Sequence, residues 1–566
     1  MNLPDWIVLI VTLAGIILYG IYKSRTSRDL DGYFLSNQSL PWWMVLLSIM
    51  GTQASAVTFL AAPGQAYTDG MRFVQYYFGL PLAAIVICIT FVPAFRRMKI
   101  YTAYEYLENR FDGNTRTLTS LLFLLQRGLS TGISVVAPSI ILSALLGWNI
   151  YVTNLFMGGL LIVYTVSGGA KAVAYTQQLQ LIVIFAALFI AGYYIVQHLP
   201  EQVGFTDALE VGGKLGKLNV ITTGMEKGGF DWSDRYNIIS GVIGGFFLAL
   251  SYFGTDQSQV GRYLTAKSST ESKLGLLMNG IVKVPMQFFI LLLGVLVFAF
   301  YQFNKAPVFF NKKEISRLEA SAYNPQWEQL KHRMDAVQAE KDTLLKNYAQ
   351  EKSAGTLQSL KLLQQQTDSI RKETKALVKK SGGDDNDTNY IFLRFVVDYL
   401  PVGLVGLIIA IIFLASWGSI AAALNSLASS TVVDLHKRYR RTSENNNEQD
   451  YRISKRYTLG WGVFCMVVAM FASNIGNSLI ETVNILGSLF YGTILGIFLV
   501  AFYCKGIRAN SVFWAAIAAE LFTIVLFILS EKNIIGLGFL WLNVTGAFSV
   551  ILLSYLFQLL LPKRVK

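Results

Sequence analysis

Residues 49–58 read IMGTQASAVT, and they interrupt an apolar segment that runs from about Leu40 to Ala66. A segment of that length spans a bilayer, whose hydrocarbon core asks for roughly 20 apolar residues. The polar interruption therefore falls near the midplane. Backbone groups at that depth must be satisfied inside the protein. A Gly/Ser/Thr/Gln interruption there predicts a helix broken toward a protein cavity, and a small-residue helix-packing face is the other reading.

Composition places this segment in a polytopic membrane protein. The 566 residues are 53% hydrophobic and 15% charged, with a mean hydropathy of +0.45, far more apolar than a soluble domain. The formal charge of +13 does not point to nucleic acid, because Lys and Arg gather in short loops between apolar runs, as cytoplasmic loops do. Cys88, Cys465 and Cys504 lie in or beside apolar runs and form neither a disulfide framework nor a metal-ligand spacing. His198, His332 and His436 are scattered, so no metal site is legible. The run from Trp6 to Tyr22 has no basic flank before it and no small-residue cleavage site after it, and reads as a retained helix.

Apolar runs of spanning length fall near 3–22, 40–66, 72–95, 116–147, 149–168, 172–198, 236–256, 274–303, 391–433, 455–474, 478–503, 509–530 and 535–561. They predict an all-α protein with about thirteen transmembrane helices. Pro401 marks a turn or a short lead-in helix inside the long ninth run. Alternate loops carry Lys23, Arg25 and Arg28; Arg96, Arg97 and Lys99; Lys171; Arg262, Lys267 and Lys273; Lys437, Arg438, Arg440 and Arg441; Lys505 and Arg508; and Lys563, Arg564 and Lys566. By the positive-inside rule these are cytoplasmic, which puts the N-terminus outside and the C-terminus inside a plasma membrane.

Two longer segments remain on the other side. Glu201 to Arg235 reads as a cover or linker. Residues 304–390 hold two helical patterns around a break, KSAGT, at Lys352 to Thr356. The first pattern spaces Leu330, Met334, Val337, Leu344 and Tyr348, with Lys341 breaking the stripe; the second spaces Leu360, Leu363, Thr367, Ile370, Thr374 and Leu377. They predict an antiparallel helical hairpin inserted between an N-terminal part (1–303) and a C-terminal part (391–566) of one transporter domain. The hairpin either docks an extracytoplasmic protein partner or is a solvated, self-packed insertion.

An inverted-repeat transporter needs a second interruption one repeat later. Five helices after the second comes the seventh, Ile239 to Asp256, which turns polar at Ser251 to Asp256 and enters from the opposite side. Helix nine offers oxygen ligands for an ion in the hydroxyls of Ser419, Ser426, Ser429, Ser430 and Thr431 and the amide of Asn425, although serines in membrane helices also serve packing. Arg127 in LLQRGLSTG is a charge at membrane depth, read either as an anion-binding guanidinium or as a side chain that snorkels or pairs with a backbone carbonyl. Lys283 has the same two readings. No Walker loop, GxSxG, HExxH or paired CxxC is present, so ATP-driven transport and membrane enzymology find no motif.

The strings SAVTFLAAPGQAYTDG (Ser55 to Gly70), YTAYEYLENRF (Tyr101 to Phe111), YTVSGGAKAVAYTQQLQ (Tyr164 to Gln180), SYFGTDQSQVGRYLTAKS (Ser251 to Ser268) and the LNS and VVDLHKRY segments ending helix nine resemble the sodium/solute symporter family. The likeness is to its branch carrying vitamins, iodide, monocarboxylates and sialic acid, and it covers about Asp5 to Lys505 apart from the hairpin. It implies a leucine-transporter-type fold of five-plus-five inverted helices, with one extra helix before and two after. It implies sodium as coupling ion, no cofactor, and a small organic solute, carboxylate or sugar-like. By position, sodium would meet the carbonyls of Gly51, Ala54 and Ala415 and two adjacent hydroxyls on helix nine. That hydroxyl pair registers on Gly418 and Ser419, so one hydroxyl is missing. A second sodium site of some relatives registers on Gln177, Ala421 and Ala422, and is expected to be absent. The solute pocket would involve Gln53, Ser55, Thr58, Tyr77, Ser251 and Tyr252. In sialic-acid carriers an arginine registers near Ser130, one turn from Arg127. The rivals are a proton-coupled carrier or uniporter on the same fold, and a non-transporting sensor or scaffold that uses the hairpin.

Overall fold

The computed structural model describes residues 1–23, 34–226, 228–350, 354–440, 447–472 and 479–560. Arg25, Arg28, Lys352, Arg441, Lys563, Arg564 and Lys566 lie outside them. Among the described residues, each of the thirteen apolar runs holds a helix. In chain order the principal helices are α1 (Leu3–Lys23), α2 (Trp42–Gln53), α3 (Ala56–Asp69), α4 (Met71–Met98), α5 (Gly113–Leu146) and α6 (Ile150–Gln197). There follow α7 (Ser240–Thr255), α8 (Gln257–Leu264), α9 (Ser269–Phe303), α10 (Asn324–Gln350), α11 (Ala354–Lys380) and α12 (Ile391–Tyr399). The last are α13 (Leu404–Tyr439), α14 (Asn447–Ala472), α15 (Leu479–Tyr503), α16 (Ala509–Glu531) and α17 (Leu540–Leu560). Eight described helices are long and apolar enough to cross a membrane by themselves, and the bent pair α2 and α3 makes a ninth.

Both interruptions legible in the sequence are breaks in the chain. α2 and α3 meet at 63°, and α7 ends at Thr255, where Asp256 turns extended (ψ 118°) before α8 begins. The long ninth run divides as its proline dictates, into α12 and then α13 beyond Pro401. The fifth and sixth runs, by contrast, are joined without a helical gap, since α6 is continuous from Ile150 to Gln197. α6 is nevertheless not straight. The Tyr164 and Thr176 hydroxyls are hydrogen-bonded at 2.8 Å, whereas twelve residues of straight helix would hold their backbones about 18 Å apart.

The basic loops gather at one end of the bundle. Arg96 in the last turn of α4 donates to the carbonyls of Leu264, the last residue of α8, and of Ala266 beyond it (3.2 and 2.8 Å). Arg110 reaches the Lys505 carbonyl (2.8 Å), and Arg438 the Gly113 carbonyl (2.6 Å). There, too, buried Asp434 takes Arg116 at 2.7 Å together with the Thr102 and Ser430 hydroxyls at 2.6 Å each, closing α5 against α13. The Leu264, Ala266 and Lys505 carbonyls lie at or just beyond helix C-termini, where carbonyls have no partner within their own helix.

At the opposite end α9 presses on the far half of the broken pair. A Cβ added at Gly294 would stand 2.1 Å from the Pro63 carbonyl oxygen of α3, and a backbone atom does not swing aside as a side chain would. Gly294→Ala is expected to cost about 1–3 kcal/mol by overpacking, read as a lower thermal unfolding temperature of the detergent-solubilised protein.

The hairpin forms as its two stripes dictate. Leu330, Met334 and Val337 of α10 pack with Leu363, Ile370 and Leu377 of α11. It departs from a self-packed, solvated insertion at Lys341, which is only 2% exposed. Lys341 belongs to the face that sits on the C-terminal end of α9, where its ammonium donates to the Gln302 and Gln364 amide oxygens (3.2 and 2.8 Å). Gln338, one turn earlier, donates to the Gln302 carbonyl at 3.1 Å. The residue that breaks the apolar stripe is thus a polar peg into the transporter, because a short polar patch on α9 must be met by donors.

Candidate solute and ion site

The site begins with the end of α2. Ala54 (φ −79°, ψ 100°) and Ser55 (φ −112°, ψ 175°) are extended, so the last helical hydrogen bond runs from the Ala54 amide to the Met50 carbonyl at 2.7 Å. The carbonyls of Gly51, Thr52 and Gln53 lie beyond it, as at any helix C-terminus. The amides of α3 begin on the other side of the break. Partial negative charge from one half-helix and partial positive charge from the next thus meet at one point, the arrangement by which broken helices face a cation and an anion.

Beside the break lies a cavity of about 100 Å³. Of the residues singled out in the sequence, Gln53, Ser55 and Thr58 line it from α2 and α3, Tyr77 from α4, Arg127 from α5 and Tyr252 from α7. Ser130 lines it one turn beyond Arg127, so that register does share one cavity with the arginine. Ser251 does not line it. Its hydroxyl donates to the Tyr491 carbonyl of α15 at 2.7 Å, because successive helical residues point about 100° apart and Tyr252 has taken the cavity side.

Arg127 is largely buried and stands 3.8 Å from the Asp256 carboxylate, beyond hydrogen-bonding distance. Asp256, the residue at which helix seven breaks, is satisfied without it. Its oxygens accept from the Ser258 amide (2.7 Å), the Ser258 hydroxyl (2.6 Å) and the Tyr491 hydroxyl (2.8 Å). Arg127 is therefore held by the charge of Asp256 and by the Tyr252 hydroxyl, lines the cavity, and neither snorkels nor spends itself on a backbone carbonyl. Four buried atoms around the cavity have no hydrogen-bond partner among the described residues: Gln53 Oε1, Gln126 Oε1, Arg127 Nε and Asn484 Nδ2. Buried polar groups are rarely left unpaired, and these include both donors and acceptors. Lys283 does not line the cavity. It is fully buried on α9, its ammonium 5.5 Å from the centre of the Tyr77 ring, so Tyr77 has a cation at its back.

The candidate ion ligands sit where α2, α6 and α13 converge. Gln177 of α6 is the hinge of this contact: its Nε2 donates to the Gly418 carbonyl (3.2 Å) and the Thr52 hydroxyl (3.3 Å), while its Oε1 accepts from the Ser48 hydroxyl (3.1 Å). Glycine at 51 and 418 allows the approach, since an added Cβ would lie 2.8 Å from Gln177 Cβ at the first and 2.7 Å from Gln180 Oε1 at the second. Ser419 is buried, and its hydroxyl donates to the Ser416 carbonyl at 3.0 Å. That leaves its lone pairs free to face a cation. Ala54 and Ala415 are buried as well, as are Ala421 and Ala422.

Sequence reasoning missed Gln126, Asn484, Tyr491 and the role of Asp256. The first three lie on unbroken spans, where amides and hydroxyls look like ordinary packing glue. For Asp256 the signal was present in the polar end of helix seven.

The model of the sodium:solute symporter family matches residues 33–319 and 372–519, and the stretch it passes over lies within the hairpin. The chain is 24% identical over 555 residues to the sodium/sialic acid symporter of Aliivibrio fischeri, covering 98% of this chain and 92% of that one. It is 25% identical over 536 residues to the rabbit (Oryctolagus cuniculus) sodium-dependent multivitamin transporter, covering 89% and 66%. Among solved structures, a Na+-coupled sialic acid symporter in a substrate-bound outward-open state superposes with a TM-score of 0.73 at 23% identity, covering 99% of this chain and 98% of that one. That likeness shows the fold, the leucine-transporter type, and the family model covers well over half of the chain. The protein belongs to the sodium:solute symporter family and is a multi-pass membrane transporter that couples solute to sodium, not an enzyme.

Proposed function

We propose that the protein takes up a small organic solute bearing a carboxylate, or a sugar-like solute, by alternating access about the broken helix, driven by inward sodium movement across the plasma membrane. The observation that carries this reading is the cavity beside the α2–α3 break, where a guanidinium and three further unpaired polar atoms converge. A guanidinium offers its planar fork to a carboxylate, while the Gln53 and Gln126 oxygens accept from hydroxyls or amides. At about 100 Å³ the cavity is smaller than the roughly 300–1,000 Å³ of pockets holding drug-sized ligands, so solute entry requires the walls to part, as alternating access demands.

Sodium binds, on this reading, between the carbonyls of Gly51 and Ala54 and those of α13 at Ala415, with the Ser419 hydroxyl as the side-chain ligand and Gly418 contributing none. Ion binding draws α13 against α2 and so favours the conformation able to take solute. The end of the bundle that carries the basic loops is cytoplasmic, with the N-terminus outside, the C-terminus inside and the hairpin outside. Solute, sodium and lipid are the partners in this cycle.

The test is uptake of labelled small carboxylates and sugars into proteoliposomes under an imposed sodium gradient or an imposed proton gradient. An inward sodium gradient is expected to raise initial uptake at least about tenfold, the effect of roughly 1.4 kcal/mol of coupling. Stimulation by protons alone, or uptake indifferent to both gradients, would replace the reading by a proton-coupled carrier or a uniporter. A sensor or scaffold would move no solute at all.

A further inference from the structure

Between the hairpin and the adjoining ends of α3 and α9 lies a second cavity, of about 220 Å³. Its walls carry Lys217, Lys341, Arg371, Lys372 and Lys375 against one carboxylate, Asp368. Asp387, just beyond the hairpin, pairs with two of the five cations, Arg371 at 2.8 Å and Lys375 at 3.4 Å. The other buried cations meet neutral oxygens instead. Lys217 donates to the Thr68 carbonyl at 2.5 Å, and Lys341 to the Gln302 and Gln364 amides.

Five cations thus border this partly open cavity, whose wall holds the single carboxylate of Asp368, with Asp387 pairing two of the cations and Asp69 and Asp342 acting on Lys217 and Lys341. Burying a cation without a counter-charge is costly. The cost is visible at two of these groups: burial pushes the Lys341 ammonium down to about 8 and lowers Lys217 as well. Cations gathered around one cavity, with Lys341 buried among neutral partners, are stabilised by an anion placed between them. The volume lies below the range of drug-sized pockets, so the anion is small. Charge-assisted hydrogen bonds from ammonium and guanidinium donors match oxygen acceptors best.

We propose that this cavity is a binding site for a small oxyanion, an organic carboxylate or a phosphate, on the hairpin side of the transporter and separate from the central cavity. Thr68, in the last turn of α3, forms part of its wall, while Thr58 of the same helix lines the central cavity. Ten helical residues put the two sites about 15 Å apart. An anion bound there bridges the hairpin lysines to Lys217, whose ammonium already holds the end of α3, and so ties the insertion to the half-helix that forms the solute site.

Isothermal titration of the purified full-length protein in detergent, at low salt, with inorganic phosphate and separately with gluconate as probes, tests this. Saturable binding of at least one probe is expected, weakened about tenfold by Lys341→Gln and about threefold by Lys372→Gln, and retained in Arg127→Met. Phosphate binding alone identifies an inorganic ligand and gluconate binding an organic one; either supports the site. Lys372 is exposed, so its substitution leaves the hairpin packing in place should Lys341→Gln disturb it. No binding of either probe, binding unchanged in both lysine variants, or binding abolished by Arg127→Met would overturn the proposal, the last because the anion would then sit in the central cavity.

Discussion

Arg127→Met is expected to lower solute uptake roughly 10–100-fold at low solute concentration, the effect of losing about 1.5–3 kcal/mol of charge-assisted hydrogen bonding. The size of the effect follows from what surrounds the guanidinium. Its neighbour Asp256 already accepts from Ser258 and Tyr491, so the arginine is not needed to complete that carboxylate's hydrogen bonds, and its Nε has no partner among the described residues while its side chain lines the cavity. Arg127→Lys, which keeps the charge and loses the fork, is expected to fall between wild type and Arg127→Met. A purely structural role as counter-charge to Asp256 makes a different forecast: the double variant Arg127→Met with Asp256→Asn would then recover uptake. Recovery in the double variant would sink the solute-binding role, whereas continued loss with a normally folded protein supports it. The measurement is initial-rate uptake against solute concentration, with folding followed by size-exclusion chromatography and thermal unfolding.

Ser419→Ala is expected to abolish sodium stimulation of uptake, or to raise the half-saturating sodium concentration at least about tenfold, since a hard cation in a partly buried site depends on each oxygen it can gather. Gly418 sets the size of this effect. With no hydroxyl at that position, Ser419 is the one side-chain oxygen in the proposed set, and its loss leaves backbone carbonyls alone. The substitution removes one hydrogen bond to the Ser416 carbonyl and no apolar packing, so a folding defect is not the expected cause of failure. Uptake that follows the same sodium curve in Ser419→Ala and wild type would mean the ion binds elsewhere.

The spans and both breaks were legible in the chain because they are local. A run of apolar residues long enough to cross a bilayer, and a cluster such as GTQAS or GTD inside it, state their consequence within a few turns of helix, whatever the rest of the chain does. The two hairpin arms were legible for the same reason, through their spacing. Six of the seven solute-site candidates also fell together on one cavity, since pattern and helix periodicity carry a register along each span.

What the sequence left open is which face each span turns to which neighbour. Ser251 and Tyr252 are adjacent, and only the packing of α7 against α15 decides that Tyr252 faces the cavity and Ser251 a backbone carbonyl. Arg127 was a charge with two readings until the break in helix seven brought Asp256 to 3.8 Å. Gln177 read as the loss of an ion ligand, and in three dimensions it is an amide bridging Thr52 and Gly418 through the space that two glycines leave. Lys341 read as a flaw in an apolar stripe, and docking makes it a buried contact between hairpin and transporter. The sequence by itself determined the spans, their two breaks, the inserted hairpin and the family pattern, all set by hydrophobic length and periodicity along the chain. The partners of its buried polar and charged groups were decided by the tertiary structure alone, because they lie on helices remote in sequence and depend on rotations that no single helix encodes.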